Sequence, residues 1–342
     1  MKSFYYHGPE DIRLKEVPIP LIKDDEILVK VKAAIFGGSS YKTILRGHPV
    51  LINKKLPSPI GHQFSGEVFK VGKKVRDYKV KDRVVVLNSA PCFKCMYCKD
   101  KKYNLCNDLY FLNGAFSEYI KVPAEILNFN TFKIPKNINF KLAALTESLS
   151  VVLHGIDKSD IQKGQIVCVI GTGSIGLLFT YLLKFYGCKV LLIGRNKKKL
   201  EAGKKFGADF VISGEDKNLT SKINKITKTG IDIVVEAVGQ KETWELATRI
   251  VKKGGLINFF GGCKKNTKFE IDTYRLHYEE LKLVGVFHHL PQYSKKAINL
   301  LSGKKFKKLE KLMISKELSL FQLNEAFKNH QEGKTILQAI IP

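Results

Sequence analysis

The chain has 342 residues, 44% of them hydrophobic, enough for about two domains with substantial cores. Its formal net charge is +26, yet only seven of its 58 basic residues are Arg (Arg13, Arg46, Arg76, Arg83, Arg195, Arg249 and Arg275). Bidentate recognition of bases and phosphates favours Arg, and the Lys residues are scattered with no basic helix or aromatic–basic motif, so composition argues against a nucleic-acid partner.

A general Lys bias, such as an AT-rich genome gives, explains the charge. It still favours anionic substrates by electrostatic steering. The N-terminus lacks the apolar core of a signal peptide. No apolar run reaches the ~18 residues that span a bilayer. The expectation is a soluble cytoplasmic protein with no membrane partner.

Over the first ~150 residues, short β-type runs at 26–31, 66–71 and 83–87 are separated by Gly, Pro and Lys turns. Cys92, Cys95, Cys98 and Cys106 follow with the spacing C-x2-C-x2-C-x7-C. Four thiolates so close in one loop predict a closed tetrahedral shell around one structural Zn2+. A disulfide pair is the alternative, and it fits poorly in a chain without signs of export. Cys168, Cys188 and Cys263 lie in apolar stretches and read as buried thiols.

The pattern changes near residue 160. Predicted strands at 165–170, 189–193, 210–212, 231–235, 256–260 and 281–286 alternate with helical segments, among them 175–185 and 197–206. Alternation of this kind implies a parallel sheet covered on both faces. After the first of these strands comes Gly171-Thr172-Gly173-Ser174-Ile175-Gly176. Between a strand and a helix this pattern is a dinucleotide turn: Gly171 for the tight turn, Gly173 for approach of the pyrophosphate, Gly176 for close packing. The helix N-terminus then meets the phosphates.

At the end of the second strand, Gly194 stands where an acidic residue would hold the ribose hydroxyl of NAD. Arg195, Asn196 and a run of Lys follow. A missing carboxylate and an adjacent cation predict NADP(H) over NAD(H). Gly194→Asp is expected to reverse that preference. The last ~50 residues are mixed and end in a strand-like run at 336–341.

With these motifs in this order, the chain resembles the zinc-containing alcohol dehydrogenase family of medium-chain dehydrogenases, nearest the sorbitol and polyol branch. The likeness rests on the four-Cys loop, Pro59-Ile60-Gly61-His62-Gln63, the segment 143–154 with Glu147 and His154, the glycine turn and Gly333-Lys334-Thr335. It implies an α/β protein: a GroES-like β-rich catalytic domain over 1–150, a doubly wound Rossmann domain over 151–288, and a return to the catalytic domain over 289–342. It also implies a cofactor contact from Lys334, a small-molecule substrate and a homodimer or homotetramer.

The family's catalytic zinc usually takes a Cys, the His of Gly-His-Glu and a nearby Glu or Cys. Here Gly37 stands for the Cys, Ser40 for the Asp that orients the His, and Gln63 for the Glu, while His62 and Glu147 match. One His and one carboxylate hold Zn2+ weakly, so a full catalytic zinc site is not expected. The developing oxyanion then falls to other donors, with Ser39, Lys42, His62 and His288 as candidates. Their bland alternatives are a solvated lysine and a pocket-shaping His288–His289 pair. His154 reads as a packed core histidine. Arg275, beside Tyr274 and His277, is a candidate contact for a substrate anion.

The expected function is an NAD(P)H-dependent oxidoreductase that interconverts a secondary alcohol and ketone of a polyol, sugar or sugar-derived substrate. A zinc-independent reductase of C=C bonds or quinones is one rival. A non-catalytic NADPH-binding protein on a decayed scaffold is another.

Overall fold

The computed structural model describes residues 1–48, 52 and 55–342. The chain forms two compact units, Met1–Ser150 with His289–Pro342, and Val151–His288.

The first unit is built around a seven-stranded sheet, flanked by a three-stranded and a two-stranded one. The strands of the large sheet run in the order Thr131–Lys133, Arg83–Val86, Phe64–Val71, Ile27–Phe36, Leu337–Ile341 and Ile314–Ser319, with Tyr119–Val122 also pairing onto Ile27–Phe36. The strand at Ile27–Phe36 is longer than the run predicted at 26–31, because Ala33 and Ala34 continue the ladder with Ser65 and Phe64. Its far end is held by the last strand of the chain, with Gln338 opposite Phe36 and Ile340 opposite Ala34 in antiparallel register. Ile27, Val29, Val31 and Phe36 are buried in the core of this unit, and Phe36 stacks on Phe116 with ring centroids 5.9 Å apart. Each such side chain contributes about 1.5–3 kcal/mol by leaving water, so both ends of the central strand are firmly seated. The helix Gly38–Arg46 starts directly after it.

In the second unit six parallel strands form one sheet in the order Phe210–Ser213, Lys189–Gly194, Ile166–Ile170, Ile231–Glu236, Val251–Phe259 and Lys282–Gly285. Written in chain order this is 3-2-1-4-5-6, the doubly wound arrangement. Ile166–Ile170 lies centrally, with Ile170 opposite both Ile193 and Glu236. Its residues are apolar on both faces because helices cover both. The order reverses between this strand and Ile231–Glu236, and ligands of open α/β sheets bind beyond the carboxyl ends of the strands at such a point. The glycine turn stands there. The fifth strand starts at Val251, earlier than the predicted 256, because Val251 already pairs with Ile231 before a register shift.

Candidate functional site

Cys95 follows an exposed turn, and Cys98 lies in the short helix Met96–Lys99 that the turn leads into. The Cys95–Cys98, Cys95–Cys106 and Cys92–Cys98 sulfur separations are 3.6, 3.9 and 4.0 Å, and all four sulfurs lie within 4.8 Å of one another. A tetrahedron with Zn–S bonds of ~2.3 Å has edges of roughly 3.8 Å, so the four thiolates fit one zinc. They stand too far apart for disulfides. Backbone N–H groups support the thiolate forms. The amides of Cys92 and Asp108 donate to Cys106 Sγ at 3.2 and 3.3 Å. The Asn107 amide, then that of Cys98, holds the Cys95 thiol down to about 6. Burial instead pushes Cys98 up to about 12. With all four positions taken, an ion held here would have no open position for substrate.

In the second unit Gly171 adopts φ +119°, and a Cβ there would meet Val238 Cγ2 at 2.9 Å. At Gly176 a Cβ would lie 1.9 Å from the Gly171 carbonyl oxygen, whereas at Gly173 it would meet nothing within 4 Å. The three glycines therefore do three different things: one turns, one packs, and one leaves open space at the start of helix Ser174–Phe185. No side chain caps this helix, so its first N–H groups are available to a phosphate. Thr172 and Ile175 flank the turn. The residues fit a dinucleotide.

Gly194 ends its strand packed against Thr172. A Cβ there would lie 2.4 Å from Thr172 Cγ2 and 2.8 Å from its hydroxyl oxygen. Thr172 thus fills the start of the space an acidic side chain would need, a contact that the linear sequence conceals. Arg195 is exposed. Asn196 caps helix Lys197–Lys205 by accepting from the Lys199 amide at 3.0 Å.

In the first unit His62 follows Gly61, whose φ of +94° lets the backbone pass Phe116. His62 is only 7% exposed, and burial pushes its imidazole down to about 4, so it is neutral at pH 7. Glu147, in the first turn of helix Thr146–Lys158, is pushed up to about 7 by burial. The Gln63 side-chain amide donates to Glu147 Oε2 and also to Ser148 Oγ at 3.0 Å.

Comparison with known proteins places this geometry. The alcohol dehydrogenase GroES-like domain matches residues 23–136, and the zinc-binding dehydrogenase domain matches residues 174–303. Sorbitol dehydrogenase of Bacillus subtilis (strain 168) is 30% identical, over 89% of this chain and 86% of that protein. The chain belongs to the zinc-binding alcohol dehydrogenase family. D-xylulose reductase A of Aspergillus oryzae is 29% identical over 98% of this chain and 94% of its own length. Among solved structures, a zinc-binding dehydrogenase from Sinorhizobium meliloti 1021 bound to NADP is 28% identical. It has a TM-score of 0.91 and covers 100% of this chain and 99% of its own.

This dehydrogenase does not fit the family's catalytic zinc. Among the described residues the four cysteines are the one group of three or more metal-binding side chains close enough to share an ion. Gly37 is buried at the N-cap of helix Gly38–Arg46, and a Cβ there would lie 2.4 Å from Leu337 Cδ2. A leucine methyl from strand Leu337–Ile341 therefore presses on the position where the family has its thiolate. Gln63 meanwhile occupies Glu147. One neutral imidazole and one amide-clasped carboxyl remain.

The other sequence-predicted residues of the dehydrogenase lie on separate elements of the two units. Ser39 and Lys42 lie one turn apart on the exposed side of helix Gly38–Arg46, away from its buried Ser40, Thr43 and Ile44. His288 ends the second unit with φ +64°, its carbonyl accepting from His154 Nδ1 at 2.7 Å. His154 is buried in that packing. His289 begins the return to the first unit and approaches Ser89 Oγ at 3.5 Å. Lys334 pairs with Glu332 at 2.5 Å. Arg275 is not available to a substrate anion. Its guanidinium donates to Glu279 Oε2 at 2.7 Å and to the carbonyls of Thr248 and Val251 at 2.5 and 2.8 Å, stapling a helix end inside its own unit. Tyr274 and His277 beside it are exposed.

Proposed function

We propose that this dehydrogenase interconverts a secondary alcohol and a ketone of a polyol, sugar or sugar-derived substrate, without a catalytic zinc. The observation that carries the reading is the buried His62 beside the Gln63–Glu147 clasp, in a chain similar to sorbitol dehydrogenase and D-xylulose reductase. Gly171, Thr172, Gly173, Ser174, Ile175 and Gly176 hold the nucleotide pyrophosphate, and Gly194, Arg195 and Asn196 favour the 2′-phosphate of NADP(H). Lys334 is assigned to the same nucleotide by the resemblance. When bound, the nucleotide supplies or accepts the hydride.

The chain's own task is at the oxygen. A neutral His62 donates a hydrogen bond to the carbonyl as negative charge develops there. On the resemblance alone, Ser39 with Lys42 or His288 is the candidate relay for the proton. Burial holds Glu147 near 7 against the Gln63 and Ser148 hydrogen bonds that favour its charged form, so about half of it is protonated at neutral pH and its charge near the oxyanion is reduced. One structural zinc per chain holds the cysteine lobe.

We further propose that a second copy of the chain covers the edge strand Lys282–Gly285. Leu283 and Phe287 are 38% and 51% exposed there, and an open edge is a template for pairing. The functional test is a screen of polyols and ketoses with NADPH and NADH, on protein purified without chelator. Turnover of a secondary alcohol or ketose with about one zinc per chain supports the reading. Turnover of quinones alone, or nucleotide binding without turnover of any substrate, refutes it.

A further inference from the structure

Ser40, Thr43 and Ile44 form the buried face of helix Gly38–Arg46. Together with His62, Asn113 and Phe116 they line a cavity with room for about one water molecule. Thr43 Oγ1 and Asn113 Oδ1 are shut off from solvent and find no hydrogen-bond partner among the described residues. Thr43 is 4% exposed. Buried polar atoms are nearly always paired, with protein or with ordered water, and a cavity of this size with two to four polar partners is where water is held.

We propose that this cavity is a built site for one water, and that Thr43 and Asn113 position His62 through it. The water accepts from the Thr43 hydroxyl. It donates one hydrogen to Asn113 Oδ1 and the other to the His62 ring nitrogen that faces the cavity. A neutral imidazole carries one N–H and one lone pair. A donor on the inner nitrogen leaves the N–H on the outer one, as a hydrogen-bond donor. This is the reverse of a zinc-bound histidine, which turns its lone pair to the metal and gives its other N–H to a carboxylate. Ser40 stands where the family has that carboxylate, so the change at Ser40 and the loss of the thiolate at Gly37 follow one logic. Both suit an imidazole that donates to substrate instead of ligating metal. This last link rests on the reading of His62 as partner of the reacting oxygen. The water site itself does not.

The test uses the full-length protein labelled with 15N at histidine. We expect His62 to show one neutral tautomer in long-range 1H–15N spectra. Thr43→Val combined with Asn113→Leu abolishes that preference, while Thr43→Ser, which keeps the hydroxyl, retains it. Ser40→Asp puts an acceptor into the cavity and switches His62 to the opposite tautomer. Should the double variant fail to fold, the isosteric Thr43→Val alone carries the comparison. The same tautomer in wild type, Thr43→Val and Ser40→Asp overturns the proposal, as does a high-resolution density map without a water between Thr43 and Asn113. With the tautomer lost, kcat/KM falls by about tenfold, the low end for a second-layer partner, and nucleotide affinity is unchanged. A tautomer change with unaltered kcat/KM leaves the water site standing and removes His62 from the reacting oxygen.

Discussion

Replacing Gly194 by Asp is the direct way to turn an NADP(H) site into an NAD(H) site, and the packing around Gly194 predicts that it fails alone. The new Cβ would lie 2.4 Å from Thr172 Cγ2, 2.8 Å from Oγ1 and 3.1 Å from Cβ. Overpacking of this kind costs typically 1–3 kcal/mol, about the same as the 1.5–3 kcal/mol of a charge-assisted hydrogen bond to the ribose. Gly194→Asp should therefore weaken NADPH at least tenfold by placing a carboxylate near its phosphate, and leave NADH no better bound. Removing Cγ2 and Oγ1 with Thr172→Ala takes away the two shortest contacts and leaves Thr172 Cβ at 3.1 Å, which a shift of a few tenths of an ångström relieves. The pair Thr172→Ala/Gly194→Asp should then prefer NADH. Arg195→Ala should bring the two nucleotides to within a few-fold, since one phosphate contact corresponds to roughly tenfold or more in Kd. Calorimetric titration of both nucleotides into all four proteins is the assay. Equal dissociation constants in the wild type refute the assignment of Arg195, and full reversal by Gly194→Asp alone refutes the role of Thr172.

Elemental analysis should find about one zinc per chain, and Cys92→Ser should lose it together with stability, because metal binding at such sites is coupled to folding. His62→Ala should lower kcat/KM tenfold or more and leave nucleotide affinity unchanged, as stopped-flow and binding measurements will check. Glu147 and His62 should give opposite pH dependences of stability. The Glu147 carboxyl is raised from 4.5 to about 7, so its stabilisation is complete below pH 4.5 and lost as pH rises through 7, by at most about 3 kcal/mol before screening. His62 is depressed from 6.5 to about 4, so its contribution is complete above pH 6.5 and lost as pH falls through 4. Urea melts from pH 4.5 to 6.5 should be nearly flat for the wild type, fall with pH for His62→Gln and rise for Glu147→Gln. Light scattering should show a smaller particle for Leu283→Lys than for the wild type.

Local signals carried the parts that short stretches of chain determine. The cysteine spacing anticipated the four-Cys cluster because all four residues lie in one loop. Glycine at the turn, and alternation of apolar strands with helices, gave the parallel sheet because each is a property of neighbouring residues. The missed features join distant segments. Nothing near Gly37 announces that Leu337 fills its space, and Thr172 and Gly194 meet only once two adjacent strands are in register. Arg275 stood out as a rare arginine, but its carbonyl partners at Thr248 and Val251 come from another part of the unit. Thr43 and Asn113 carry no motif. They matter because the fold buries their oxygens beside His62.

Strand Ile27–Phe36 is completed by Leu337–Ile341, and the entire second unit is made in between. During synthesis the first unit must therefore wait, with the flank of its central strand open, until Leu337–Ile341 has emerged from the ribosome. The nucleotide-binding unit, continuous in sequence, is free to fold first. Loss of the terminal strand would uncover Ala34, Ile35 and Phe36 and release the methyl group that abuts Gly37. Completion of the first unit thus depends on strand Leu337–Ile341, and a product cut before it is marked by an exposed apolar strand.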